Sequence, residues 1–389
     1  MRVALVDRFG DPASYSSALG KALRQRLGRG GEVFFFGGKS GRGRFNSLGV
    51  VDSGVWNRWL YPVQIVRRAI KDRVQVIHLQ FEFVLFGIPF SPLCIPLLVL
   101  AKMARIKIVV TIHGPIYSRQ ARAEVLRNIR PSGVNPGGPA IHFFVHSFYL
   151  LLDRLSDAVI VHAEVFRQWL VEYGLRKCVV VPHGVSPVLT LPNLDECHTR
   201  ANRTVLFFGF LAPRKGLETL LASFADIREE FPDSRLIIAG RESDQYRGYG
   251  DTLVRLAGSL GLSDRVDFTG YVRENQVAAV FGGSGLVVLP YVNSIAASGP
   301  LALTASFAKP LIATRIPYFT EVLNDGRDAV LVEPSSRLEL TAALRKVMSD
   351  EALRSDLSKN IQQAFRTKSW EDVADQTIRV YRHLLKRSD

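Results

Sequence analysis

Short, almost wholly apolar runs alternate along this chain with longer stretches whose apolar positions recur every three or four residues. In the first half the runs are Arg2–Val6, Glu32–Phe36, Val74–Leu79, Ile108–Thr111, Ala158–Val161 and Val179–Val181, and each reads as a buried strand. Helical periodicity covers Ser16–Leu27, Trp56–Lys71, Leu93–Ala104, Ile141–Leu155 and Glu164–Tyr173. The second half repeats the theme. Its strands fit Thr204–Phe208, Arg235–Ala239, Val266–Thr269, Gly285–Leu289, Pro310–Ala313 and Ala329–Val332. Its helices fit Gly216–Glu230, Gly250–Leu260, Glu274–Phe281, Pro300–Ala308, Pro317–Asn324, Arg337–Ser349 and Glu351–Phe365. Such alternation predicts an α/β fold of two doubly wound, mostly parallel sheets wrapped on both faces. The turn-rich stretch Pro187 to Asn202 reads as the linker between them. Sheets of this kind bind ligands beyond the carboxyl ends of their strands, so the expected site is a cleft between the two.

At 389 residues, with 47% apolar and 22% charged residues, the composition is globular and long enough for two cores. The formal net charge of +14 is unevenly placed. Residues 1–190 hold 25 Lys/Arg against 11 Asp/Glu, while residues 191–389 hold 25 of each. The first half is therefore expected to face an anionic partner. Its basic residues are scattered through strands and helices with no nucleic-acid module among them, which disfavours nucleic acid. An anionic membrane surface suits the pattern better. The apolar run Ile141–Leu152 is preceded by Arg119, Arg122, Arg127 and Arg130, a mixture typical of interfacial segments. A buried helix behind a solvated loop is the competing reading. Ile88–Ala101 contains three prolines and is short for a bilayer span. Met1–Asp7 reads as a first strand and not as a signal peptide. Cys94, Cys178 and Cys197 form no C-x-x-C pair. The expected setting is the cytoplasm, peripheral on the inner membrane face. Arg119 to Pro139, rich in Arg, Gly and Pro, is either an acceptor-side lid or a plain excursion.

The segment with the clearest chemistry follows the strand Thr204–Phe208. It runs Gly209-Phe210-Leu211-Ala212-Pro213-Arg214-Lys215-Gly216 and feeds a helix. Glycine lets the backbone approach a ligand, and backbone N–H groups, a helix dipole and two cations converge on one spot. Ser298-Gly299-Pro300 opens a second helix in the same half. Gly209, Arg214, Lys215, Ser298 and Gly299 are thus the candidate diphosphate-binding residues. An ordinary surface lysine is the alternative for Lys215, although a cation at a helix start is unfavourable unless an anion is bound. Simple N-capping is the alternative for Ser298. Arg214 is either a helper or a solvent-facing neighbour. No Asp-x-Asp and no His/Cys cluster has ligand spacing, so no metal is expected.

Together with Leu236–Gly240, Val266–Val272, Val287–Tyr291 and Lys309–Thr314, this loop resembles, in order and spacing, the donor-binding domain of retaining glycosyltransferases of the GT-B fold, family 4 in particular. The first half is similar more weakly, through Ile77–Glu82, Val110–Gly114 and Val181–Val185. Trp370–Leu385 resembles the last helix of that fold, which crosses back onto the first domain. The resemblance covers nearly the whole chain. It implies a Rossmann-like acceptor domain over 1–190, a Rossmann-like donor domain over 191–369 and the returning helix over 370–389. It implies transfer of a hexose from a nucleotide-diphosphate sugar, with retained configuration, to a glycan or lipid-linked polysaccharide-precursor acceptor. It also implies that fixed cations and helix dipoles replace a metal, with no cofactor. Lys215 matches the family lysine that holds the diphosphate, and His113 matches the histidine beside the donor sugar. Gly240, Arg241 and Tyr271 fall where the nucleoside is expected, and Glu82 and His183 fall on the acceptor side.

Three positions depart from the family pattern. Phe210 stands where an arginine is usual, and Ile295 and Leu303 occupy the places of two glutamates when aligned through Lys309-Pro310. Their loss, beside retained Lys215 and His113, leaves two readings: a divergent active branch, or a non-catalytic nucleotide-sugar-binding partner or scaffold of an active transferase.

Overall fold

The first apolar run, Arg2–Val6 (β1), lies inside a seven-stranded parallel sheet. Its partners in chain order are Glu32–Phe36 (β2), Val50–Asp52 (β3), Val76–Phe81 (β4), Lys107–Ile112 (β5), Ala158–Val161 (β6) and Cys178–Val180 (β7). The spatial order is β3-β2-β1-β4-β5-β6-β7, with the strand order reversing between β1 and β4. The computed structural model describes residues 1–7, 14–36, 50–52, 59–82, 93–116, 139–186, 203–242, 246–293 and 296–386. The linker Pro187–Asn202, the stretch Arg119 to 138 and Ile295 therefore lie outside the described residues. The chain divides into two compact units, one of Met1–Gly184, Ile295–Ala297 and Trp370–Asp389, the other of Val185–Ser294 and Ser298–Ser369.

Helices Ser14–Leu27 (α1), Tyr61–Lys71 (α2), Cys94–Met103 (α3), Pro139–Leu155 (α4) and Glu164–Glu172 (α5) connect the strands of the first sheet. Strand β4 runs two residues later than its apolar pattern predicts. Val74 is held in the turn after α2, where its N–H reaches Ala69 O at 2.8 Å and Arg73 takes a left-handed φ of 52°. At the other end the polar residues His78 and Gln80 stay in the ladder, each buried to 1% exposure. Edge strand β3 has only three residues and was not anticipated by any apolar run.

The second unit holds a six-stranded parallel sheet built of Thr204–Phe208 (β8), Arg235–Ala239 (β9), Val266–Gly270 (β10), Leu286–Leu289 (β11), Leu311–Thr314 (β12) and Val330–Val332 (β13). Its order, β10-β9-β8-β11-β12-β13, again reverses beside the first strand of the unit. The helices are Leu217–Ile227 (α6), Tyr249–Ser259 (α7), Glu274–Gly282 (α8), Gly299–Ser306 (α9), Pro317–Val322 (α10), Arg337–Ser349 (α11) and Glu351–Phe365 (α12). The last helix, Trp370–Lys386 (α13), returns to the first unit and packs along α1. Its Val373, Ala374, Ile378, Tyr381 and Leu384 complete a core with Leu19, Leu23, Val76 and Val109. Both sheets thus reverse strand order once, which marks the carboxyl ends of β1/β4 and of β8/β11 as the binding edges of each unit.

Candidate functional site

In the second unit the carboxyl ends of β8, β9 and β11 converge. Gly209 leaves β8 at φ 142°, and its N–H bonds Ala239 O at 2.9 Å. Gly240 leaves β9 at φ 150°, so close that a Cβ there would stand 1.8 Å from Gly209 O. Only glycine fits such a backbone-to-backbone approach. A Cβ on Gly209 would in turn touch the Pro300 ring at 3.4 Å, which sets the loop against the start of α9. Ser298 is the N-cap of that helix. Its Oγ accepts from Leu301 N at 3.2 Å, leaving one orphan N–H of the first turn satisfied.

Lys215 does not open a helix, as the sequence suggests. Pro213–Lys215 form a single 3-10 turn, Gly216 takes the left-handed conformation at φ 68°, and α6 begins at Leu217. This detour turns the lysine inward. Lys215 is only 8% exposed, and its Nζ lies 3.4 Å from the centroid of the Tyr291 ring. An ordinary surface lysine is thereby excluded. Burying an ammonium is costly unless something answers its charge, and an aromatic face returns about 0.5–2 kcal/mol. Tyr291 is itself fixed from both ends. Thr314 Oγ1 donates to its carbonyl at 2.6 Å, its hydroxyl stands 3.4 Å from Ser298 Oγ, and burial pushes that phenol up to about 12. Lys215, Tyr291 and Ser298 are therefore one connected group at the mouth of α9. Sequence reasoning missed Tyr291, because a tyrosine closing an apolar strand reads as core. The one sequence signal is the match of Val287–Tyr291 to the donor-binding domain, which gives Tyr291 no role of its own; in the structure a Cβ on Gly216 would stand 2.0 Å from the carbonyl oxygen of the preceding Pro290.

Arg214 is half-buried beside this group, and its charge favours ionisation of Tyr291. Arg241 and Tyr271 meet at the outer rim, the guanidinium carbon 5.3 Å from the ring centroid. Tyr271 is 65% exposed, an aromatic face open to stacking. Phe210 is exposed in the same loop and Leu303 is half-buried within α9.

In the first unit the carboxyl ends of β4, β5, β6 and β7 gather four histidines. His113, just past β5, is half-buried and stands at the centre. Its Nδ1 is 3.0 Å from His162 Nε2, and its Nε2 is 2.9 Å from the Gln80 amide. His162 Nδ1 donates to Val181 O at 3.0 Å. His78 reaches Thr111 Oγ1 at 2.6 Å and the Tyr381 hydroxyl of α13 at 2.5 Å. His183 Nδ1 donates to Gly184 O at 2.8 Å. Tyr15 packs its ring 4.7 to 5.1 Å from those of His113, His162, His183 and Trp370. Burial lowers all four imidazoles, His78 and His162 to about 3, so the rings are neutral at physiological pH. The sequence singles out His113 and His183 at this edge. His78 and His162 join them as buried, hydrogen-bonded members of the cluster. Glu82 follows β4 directly and is half-buried. Among the described residues no group of three or more His, Cys, Asp or Glu side chains is placed to hold a metal ion.

Two family models tile the chain. One, described as glycosyl transferases group 1, matches residues 198–364, and the other, Glycosyltransferase Family 4, matches residues 13–188. The chain is 29% identical over 222 residues to a phosphatidyl-myo-inositol mannosyltransferase of Mycobacterium leprae, covering 56% of this chain and 57% of that protein. It is 31% identical over 189 residues to a D-inositol 3-phosphate glycosyltransferase of a Nocardioides species, covering 46% and 41%. The chain thus spans about half the length of the curated relatives it matches. Among solved structures, Anabaena Alr3699/HepE in complex with UDP-glucose superposes with a TM-score of 0.76 at 16% identity, over 99% of this chain and 100% of that one. Sucrose-phosphate synthase from Thermosynechococcus elongatus superposes at 0.70 with 19% identity over the whole of both chains. With two doubly wound sheets and one family model matched to each half in sequence, the chain has the GT-B fold and resembles glycosyltransferases of family 4.

Proposed function

We propose that the protein transfers a hexose from a nucleotide-diphosphate sugar, with retention, to a lipid-linked or polysaccharide-precursor acceptor at a membrane surface. The observation that carries this reading is the burial of Lys215 against Tyr291 beside the Ser298-capped start of α9. A fixed ammonium there neutralises charge that grows on the leaving diphosphate as the glycosidic bond breaks. The backbone N–H of Gly299, in the first turn of α9, supplies a donor for a phosphate oxygen. Tyr271 offers a stacking face for the base, with Arg241 and Gly240 beside it. His113 enters as the histidine matched to the family's active site, and Glu82 and His183 belong to the acceptor side. Retention proceeds by front-face attack of the acceptor hydroxyl, and no metal or other cofactor is required. UDP and UDP-glucose in complexes of the Anabaena relative support a nucleotide-sugar donor.

The membrane part of the proposal rests on a surface of the first unit. Helix α3 packs between α2 and α4, and these three helices with the two residues ahead of α2 carry nine of the sixteen exposed large hydrophobics among the described residues. They include Trp59 just ahead of α2, Ile70, Met103, Phe143, Phe144 and Leu151. Exposed Arg67, Lys71, Lys102, Arg105 and Arg154 lie among them. Apolar side chains interspersed with cations fit an anionic lipid surface. Among the described residues no helix is long and apolar enough to cross a membrane, so attachment is proposed as peripheral, on the cytoplasmic face.

The test is a thermal-stability titration with UDP- and GDP-sugars, followed by release of free nucleotide on adding candidate acceptors. One donor that stabilises the protein, loses its effect in Lys215→Ala and turns over supports the proposal. Stabilisation without turnover against any acceptor moves the non-catalytic partner reading to the front. No stabilisation by any donor at millimolar concentration overturns both.

A further inference from the structure

Hydrogen-bond bookkeeping fixes the protons in the histidine cluster of the first unit. A carbonyl oxygen only accepts, so His162 Nδ1 carries the proton that meets Val181 O. The buried ring is neutral, which leaves its Nε2 bare to accept from His113 Nδ1–H. His113, neutral for the same reason, then has a bare Nε2. That nitrogen faces Gln80 Oε1 at 2.9 Å, which would set two acceptors against each other. The oxygen and nitrogen of a glutamine amide exchange by a half-turn, and their assignment follows from the surrounding network. With the amide turned, the Gln80 nitrogen donates to His113 Nε2. Gln80 oxygen then faces His78 Nε2, whose proton also meets Thr111 Oγ1 at 2.6 Å. His78 Nδ1 is left to accept from the Tyr381 hydroxyl. Both ring nitrogens of His78, His113 and His162 are then engaged, and none of the three rings carries a charge. The unturned amide requires one more proton, an imidazolium at His113 or His162. Burial and neighbouring histidines oppose it, and no carboxylate contributes to the shift of His78, His113 or His162.

We propose that Gln80 is a positioning residue for the transfer reaction, its amide turned so that it holds His113 as the Nδ1–H tautomer with both ring nitrogens engaged. Donations then run one way, from the Tyr381 hydroxyl through His78, Gln80, His113 and His162 to the Val181 carbonyl. Chains of hydrogen bonds aligned in this way strengthen one another. The His113 ring has no nitrogen left to give or take a proton, and serves as a rigid, neutral wall whose orientation is set from three strands and α13. That the held ring matters for transfer rests on the glycosyltransferase reading above; the proton assignment does not.

The experiment is a long-range 1H–15N correlation spectrum of histidine-labelled protein at pH 7.5, assigned with single-histidine variants. Expected are neutral Nδ1–H rings at His113 and His162 and a neutral Nε2–H ring at His78. An Nε2–H ring or an imidazolium at His113 overturns the assignment. The same spectrum and the steady-state kinetics are then taken for Gln80→Glu and Gln80→Leu. A carboxylate only accepts, so Gln80→Glu moves a proton onto His113 Nε2, shifts its 15N signals and gives kcat a new dependence on pH. Both variants lower kcat about tenfold or more, with a smaller change in the donor KM. Wild-type kcat and pH profile in both variants would overturn the positioning role. The predicted tautomers in a protein that transfers no sugar would sink the reaction role and leave the amide assignment standing.

Discussion

Lowering the pH from 7.5 to 5 should loosen the first unit while sparing the second. His78 and His162 are 1% and 2% exposed and are held near 3 by burial, whereas an unfolded imidazole titrates near 6.5. Above that value both states bind no proton at these rings, and the stability is complete. As pH falls below it the unfolded chain takes up protons that the folded unit refuses, so stability is lost down to the folded values near 3. At pH 5 each ring has cost about 2 kcal/mol, or about 4 kcal/mol for the pair, a large share of the ~5–15 kcal/mol typical of a domain. His113 and His183 are lowered by burial too, and add in the same direction. The described residues of the second unit contain no histidine, which makes that unit an internal control. Hydrogen exchange read by mass spectrometry, corrected for intrinsic rates, compares β4–β6 peptides with β8–β12 peptides at both pH values. The His162→Gln variant should flatten the slope of the first unit by about one proton, or ~1.4 kcal/mol per pH unit. Equal protection of β4–β6 at pH 7.5 and 5, or an unchanged slope in His162→Gln, would refute the reasoning.

Replacing Lys215 by Met keeps contact with Tyr291 but removes the charge; UDP should bind about 10- to 100-fold more weakly by calorimetry, while the melting temperature stays within a few degrees. Tyr291→Leu should weaken UDP binding more than Tyr291→Phe, because the ring face and not the hydroxyl holds the ammonium; equal losses in titrations of both would speak against that platform. Gly240→Ala forces a Cβ onto Gly209 O and should cost about 2–4 kcal/mol in denaturant unfolding of the second unit. Exchanging Phe143 and Phe144 for serine should reduce sedimentation with vesicles containing anionic lipid, and leave UDP binding in solution unchanged.

The sheets were legible because parallel strands buried on both faces leave unbroken apolar runs; β8 and β9 match their runs residue for residue. The pattern slipped where buried residues are polar. The apolar run ends at Leu79, yet Gln80 continues β4 and lies buried in it with His78, because partners at Thr111, His113 and Tyr381 satisfy them. Those partners are 33 and 303 residues away, and no local rule predicts them. The lysine–tyrosine–serine group was half legible. Gly209, Lys215 and Ser298 stand out by residue type and place, whereas the inward turn of Lys215 depends on Gly216 packing under Pro290 and on Tyr291 beneath the ammonium. Edge strand β3, three residues among glycines and arginines, offered no periodicity to read.

Helix α13 imposes an order of events on synthesis. The core of the first unit lacks Val373, Ile378, Tyr381 and Leu384 until the ribosome has made the entire second unit. At about 5–20 residues per second, the roughly 185 residues separating Gly184 from Trp370 hold that core open for on the order of 10–40 s. The second unit, whose own strands and helices are complete before α13 emerges, is therefore the first able to finish folding. The nascent first half waits meanwhile with the face of its sheet that α13 covers exposed, and becomes the stage at which chaperones have the most to grip.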